Sequence, residues 1–162
     1  MRKSIQIGVV AGLAVAAPIA ALPALTTQYV AVLERIIDAD TQVYQVGIWP
    51  GLTQEIAIRI DGIDTPEKRR PANCSDGGAA EKALAEEATE YVSDLIQPGA
   101  QVLLLDVSLG KFAGRALAQI RLVDGRDLGA LLIDEGYAVA YDGGTKTDWC
   151  QLLERKKRGR AD

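Results

Sequence analysis

Residues 55–67 read Glu-Ile-Ala-Ile-Arg-Ile-Asp-Gly-Ile-Asp-Thr-Pro-Glu, and two patterns overlap in them. From Glu55 to Asp61 the residues alternate, with Ile56, Ile58 and Ile60 on one face and Ala57, Arg59 and Asp61 on the other. Side chains along a strand point to opposite faces in turn, so this is a half-buried strand with Arg59 turned away from an isoleucine core. Asp64 and Glu67 follow at a turn, where Pro66 restricts the backbone that aims Glu67.

Upstream, Tyr29 to Ile37 is rich in β-branched residues and ends at Asp38-Ala39-Asp40-Thr41, after which Val43, Tyr44, Val46 and Ile48 return. That is a β-hairpin with acids at its tip, followed by a turn at Trp49-Pro50-Gly51. Downstream, Ala80, Leu84, Ala88, Tyr91, Val92 and Leu95 recur at helical spacing between Gly78 and Ile96, and Pro98-Gly99 ends the run. Val102 to Val107 and Arg115 to Val123 read as strands, with Asp124-Gly125 as a tight turn. Leu128 to Glu135 fits a short helix, Tyr137 to Tyr141 a last strand, and Trp149 to Lys157 a terminal helix. Five short strands with a helix between the third and fourth is the order of an OB-type Greek-key barrel, an α+β fold whose face and loops commonly bind oligonucleotides.

Composition narrows the chemistry. The 162 residues are 48% hydrophobic and 25% charged, which describes one globular domain, expected here over residues 29–155 with a basic tail at 156–162. No histidine occurs, so imidazole bases, Ser-His-Asp triads and His-ligated zinc are excluded. Carboxylates, hydroxyls and guanidiniums remain. The formal charge of −4 argues against non-specific coating of nucleic acid, which relies on many Lys and Arg contacts to phosphate.

Arg2 and Lys3 precede an apolar run from Ile5 to Leu25, which reads as an export signal cleaved after Ala16 or Ala24. An uncleaved signal anchor is the alternative, because about 20 apolar residues span a bilayer. The body is therefore expected to be secreted or periplasmic, or else tethered to the inner membrane through residues 5–25 and facing outward. Of the 18 basic residues, 16 remain without Arg2 and Lys3, against 22 acidic ones, so the exported part carries a net −6. Cys74 and Cys150 are the only cysteines, and an even pair in an exported domain points to a disulfide; two buried thiols are the alternative.

Taken together, Asp-x-Asp-Thr at 38–41, Arg-x4-Asp-Thr-Pro-Glu at 59–67 and Gly-Arg-x-Leu-Ala at 114–118 resemble the thermonuclease, or staphylococcal nuclease-like, family over roughly Val30 to Tyr141. Ile48-Trp49-Pro50-Gly51 and the stretch from Tyr141-Asp142-Gly143-Gly144 to Trp149-Cys150 are similar to an exported bacterial subset of it. The resemblance implies a calcium-dependent endonuclease of DNA and RNA that leaves 3′-phosphate and 5′-hydroxyl ends. Asp40, Asp64 and the Thr65 carbonyl would hold Ca²⁺, Glu67 would hold or deprotonate the attacking water, and Arg59 and Arg115 would grip the phosphate. Lys111, Phe112, Leu117 and Tyr141 resemble nucleotide-contacting positions. Single strands are the expected partners, met by a monomer. The alternative from another class is an inactive OB domain that binds nucleic acid or a protein without cutting.

Each piece also has a plainer reading. Asp38 and Asp40 suit any hairpin tip, Asp64 to Glu67 suits a helix N-cap, and Arg59 could pair with Asp61 or Glu55 on a solvated face. Two departures from the family stand out: Ala39 replaces a usual glycine, and Gly110 to Gly114 is one residue longer than the best-known pattern.

Overall fold

Strand β3 (Leu52–Ile60) begins three residues earlier than its alternation predicts and ends one residue before Asp61. Ile58 and Ile60 are buried and Arg59 points outward, as the period of two requires. The computed structural model describes residues 28–68, 74–110 and 114–158. Before β3 come β1 (Gln28–Asp38) and β2 (Thr41–Trp49); after it come β4 (Ile63–Asp64), α1 (Ala79–Leu95), β5 (Gln101–Leu109), β6 (Arg115–Leu122), α2 (Leu128–Asp134), β7 (Val139–Ala140) and α3 (Trp149–Arg158). The expected signal segment, residues 1–25, and the last four residues of the basic tail lie outside the described residues.

Five strands close a barrel in the order β1-β2-β3-β6-β5. All neighbours are antiparallel except β3 and β6, which run parallel with Arg59 beside Leu117. Because β5 reverses direction before β6, the crossover through α1 brings β6 back alongside β3. This is the expected α+β fold, a five-stranded OB-type barrel with packed helices. Leu33, Tyr44, Ile58, Leu104 and Ile120 fill its interior, and Ala88, Val92, Leu128 and Leu132 cap it from the helices. Burying each large aliphatic side chain contributes about 1.5–3 kcal/mol, so the closed barrel is a stiff frame for its rim.

Three features depart from the sequence reading. The expected last strand shrinks to β7, which pairs with β4 outside the barrel, Ile63 opposite Ala140 and Asp64 opposite Val139. Strand β5 carries a bulge at Asp106, whose positive φ of 52° accompanies a register slip between Leu105 and Ser108. The innermost stripe of α1 is Glu81, Ala85, Ala88 and Val92, while Leu84, Tyr91 and Leu95 flank it half-buried. A carboxylate thus occupies a core-facing position. Ala39 keeps φ out of the left-handed region and tucks its methyl into the core, so the hairpin tip accepts a Cβ there.

Candidate active site

Register places the first pair of side chains. Arg59 on β3 lies opposite Thr41 on β2, and the Ile60 N–H donates to the Asp40 carbonyl at 2.8 Å. Asp40 and Arg59 therefore stand side by side on the outer face of the hairpin, and Arg59 Nη1 bonds Asp40 Oδ2. The Thr41 hydroxyl donates to Asp40 Oδ1 at 2.8 Å and fixes the carboxylate plane. Neither plain pairing of Arg59 forms: Glu55 bonds Arg35 at 2.9 Å instead.

The turn at Asp61-Gly62 brings in the next acid. Gly62 adopts φ +81°, a left-handed conformation that a side chain resists, and the chain doubles back into β4. Asp64 is consequently buried, only 1% exposed, beneath Arg59. Its Oδ2 accepts the Thr147 N–H at 3.1 Å, while Oδ1 has no hydrogen-bond partner and lies 3.8 Å from Arg59 Nη2 and 3.6 Å from Lys146 Nζ. The helix N-cap reading of this stretch fails, since α1 starts only at Ala79.

The loop from Tyr141 to Thr147 folds over this acid. Tyr141 N–H donates to the Gly62 carbonyl at 2.9 Å, its hydroxyl donates to the Gly144 carbonyl at 2.8 Å, and Asp142 Oδ1 accepts the Gly144 N–H at 2.9 Å. So braced, the loop delivers Lys146, whose ammonium bonds Glu67 Oε1 and faces Asp64. Burial alone would pull the Lys146 pKa down, but the Glu67 hydrogen bond and the Glu67 and Asp64 charges outweigh it and hold the pKa above the usual lysine value. Lys68 reaches the other way, to Asp38 Oδ1 at 3.3 Å and the Ile37 carbonyl at 3.2 Å, tying the Glu67 segment to the β1–β2 tip.

These residues surround one cleft of about 630 Å³, within the size range of small-molecule and nucleotide sites. Asp40, Arg59, Thr65, Glu67, Arg115, Leu117 and Tyr141 line it together, and Asp64 lies behind its wall in contact with Arg59. Arg115 and Leu117 share the outward face of β6, because Arg115 sits beside Ala57 and Leu117 beside Arg59. Lys111 and Phe112 fall outside the described residues, although the neighbouring Gly110 and Arg115 line the cleft. A Cβ at Gly110 would stand 3.1 Å from the Arg115 carbonyl oxygen, close enough that the backbone there would have to shift by a few tenths of an ångström.

Lys146 is the cleft residue that the sequence reading passed over. Only its place in the Tyr141 to Trp149 stretch hinted at it, since a lysine in a glycine-rich loop carries no signal of what it will meet. Behind the cleft, Cys74 and Cys150 form the expected disulfide with Cα atoms 5.4 Å apart, clamping α3 to the start of α1.

The donor set fits a hard divalent cation. Asp40 and Asp64 converge on one guanidinium, and Asp64 Oδ1 is a buried anionic oxygen held by charge without a hydrogen bond, as suits a metal-ligand atom. Oxygen donors of this kind favour Ca²⁺ or Mg²⁺ over zinc. Cys74, Glu81 and Cys150 also cluster within 4.8 Å, but both sulfurs are spent in the bridge and offer no thiolate.

A closed OB-type barrel whose β1–β2 tip, β3–β4 turn and β6 supply acids and arginines to one cleft defines a nuclease-like domain. Residues 57–161, well over half of the chain, match the family described as staphylococcal nuclease homologue, and the chain belongs to that family. The match begins within β3, so Asp40 lies ahead of it. No curated protein matches the chain.

Proposed function

We propose that this protein is an exported, calcium-dependent endonuclease that hydrolyses phosphodiester bonds of DNA and RNA, preferring single strands and acting as a monomer. The observation that carries this reading is the joining of Asp40, Asp64, Arg59, Glu67 and Arg115 around a single cleft from three separate stretches of chain. The intact bridge supports export, since disulfides persist in oxidising compartments. The apolar run at residues 5–25 would then serve as signal peptide or signal anchor.

Asp40, Asp64 and the Thr65 carbonyl would hold Ca²⁺. Bound there, the ion supplies positive charge to a phosphate oxygen. Glu67, at the cleft wall beside the Lys146 ammonium, accepts the proton of the attacking water. Arg59 and Arg115 present planar guanidiniums that bond phosphate oxygens in pairs and remain charged at any working pH. Their hold strengthens as negative charge gathers on those oxygens, so it favours the transition state over the bound substrate. The water oxygen bonds to phosphorus as the P–O5′ bond breaks, and the departing 5′-oxygen takes a proton from solvent, leaving a 3′-phosphate and a 5′-hydroxyl. Leu117 and Tyr141, with Lys111 and Phe112 from the adjoining loop, would contact the nucleotide by stacking and packing.

The test uses the full soluble body and single-stranded DNA, with calcium or a chelator, beside Glu67→Gln and Arg59→Ala. Cutting that needs calcium and collapses in both variants is the expected result. Tight DNA binding with no cutting under any metal would instead assign the chain to binding alone.

A further inference from the structure

Glu81 is buried to 2% exposure on the inner stripe of α1, yet the reaction scheme above makes no use of it. Its two oxygens face two different things. Oε1 accepts the backbone N–H of Glu67 at 3.1 Å, and Oε2 lies 3.6 Å from Cys150 Sγ. A disulfide sulfur carries no hydrogen, so the second contact is packing rather than a hydrogen bond.

The start of the helix explains how Glu81 comes to face inward. A glutamate in the third helical position ordinarily reaches back to the N-cap N–H. Here Asp76 takes that role, accepting from the Gly78 N–H at 2.9 Å and the Ala80 N–H at 3.1 Å. Glu81 can therefore turn inward while its charge stays in the first turn, where the helix dipole favours an acid.

We propose that Glu81 is a positioning residue for Glu67: its buried carboxylate, backed by the Cys74–Cys150 bridge, pins the backbone that aims the Glu67 side chain into the cleft. The segment Asp64 to Glu67 is held at one end by the pairing of β4 with β7 and at the other by Glu81, with the fixed ring of Pro66 between. Loss of the second anchor removes the buried acceptor of the Glu67 N–H and leaves the segment beyond Asp64 tied through the Lys68 and Lys146 side chains. A small misplacement of a base costs rate far more than substrate binding.

This inference rests on Glu67 acting as the base, and the experiment separates the two. Wild type, Glu81→Gln and Glu81→Leu are compared as full-length, oxidised protein by amide hydrogen exchange at Glu67 and by kcat and KM on single-stranded DNA with calcium. In Glu81→Leu, exchange at the Glu67 N–H should quicken and kcat should fall by about tenfold or more, the factor that a hydrogen bond to a charged group is worth, with KM nearly unchanged. Glu81→Gln, which keeps an acceptor oxygen, should recover most of both. Opening the bridge by Cys74→Ser with Cys150→Ser should quicken the same exchange to a lesser degree, and unaltered exchange would overturn the backing role. Wild-type kcat and exchange in Glu81→Leu would overturn the proposal, as would Glu81→Gln behaving like Glu81→Leu. Should Glu81→Leu fail to fold, an unprotected Glu67 N–H in the wild type is enough to overturn it. A wild type that never cuts refutes the nuclease reading alone, and exchange then decides the anchor by itself.

Discussion

Asp64 is gripped from both sides by one loop: its Oδ2 takes the Thr147 N–H at 3.1 Å, while Lys146 Nζ stands 3.6 Å from its Oδ1. The same lysine bonds Glu67, so a single ammonium bridges the proposed metal ligand and the proposed base. Lys146 thus competes for the charge that a divalent cation would use.

Removing that competitor should tighten cation binding. Lys146→Met is expected to strengthen calcium affinity by about two- to fivefold, a modest factor because the side chain is half exposed and solvent screens it. Titration calorimetry of calcium into both proteins reads this directly. The raised pKa adds a second signature: its stabilisation is fully present below the unfolded lysine value and is lost as pH rises through the folded one. Wild type should therefore lose stability more steeply than Lys146→Met above about pH 10.4.

Arg59→Ala should lower kcat by roughly 10²–10³, the typical loss on deleting one donor to a developing oxyanion. It also leaves Asp40 and the buried Asp64 without the guanidinium they share. Calcium should consequently raise the melting temperature of Arg59→Ala more than that of wild type. Equal shifts in the two proteins would mean that these acids do not share an ion.

The bridge closes a chain separation of 76 residues, for which the entropic treatment gives about 4 kcal/mol. Cys74→Ser with Cys150→Ser should lose up to that amount in urea unfolding. Added reductant should bring wild type down to the same curve.

Acid should expose the role of Asp76. The Ala80 and Gly78 N–H bonds hold its pKa below the ordinary aspartate value, so its contribution is present above that value and vanishes as pH falls through the folded one. Melting curves below about pH 4 should show this loss in wild type, and Asp76→Ala should flatten it.

The barrel was legible because strand periodicity is local. Ile56, Ile58 and Ile60 declare an inner face whatever surrounds them, and Asp124-Gly125 declares a turn. Residues of the cleft were legible for a different reason: their types, order and spacing resemble a known family, and Asp40, Arg59, Glu67 and Arg115 do meet in one cleft. Strand Tyr137 to Tyr141 misled because apolar residues in a row do not say which edge they will pair with. Only Val139 and Ala140 found one, on β4.

Sequence alone determined the alternation that builds the barrel, the absence of imidazole chemistry and the acids and arginines available for catalysis, since these depend on residue identity and short-range geometry. Tertiary structure decided that Lys146 meets Asp64 and that Glu81 turns inward to Glu67 and the Cys74–Cys150 bridge. Glu67 lies 14 positions from Glu81 and 79 from Lys146, and Glu81 lies 69 from Cys150, across contacts that no periodicity encodes; they exist only once the closed barrel has set the distances between its loops.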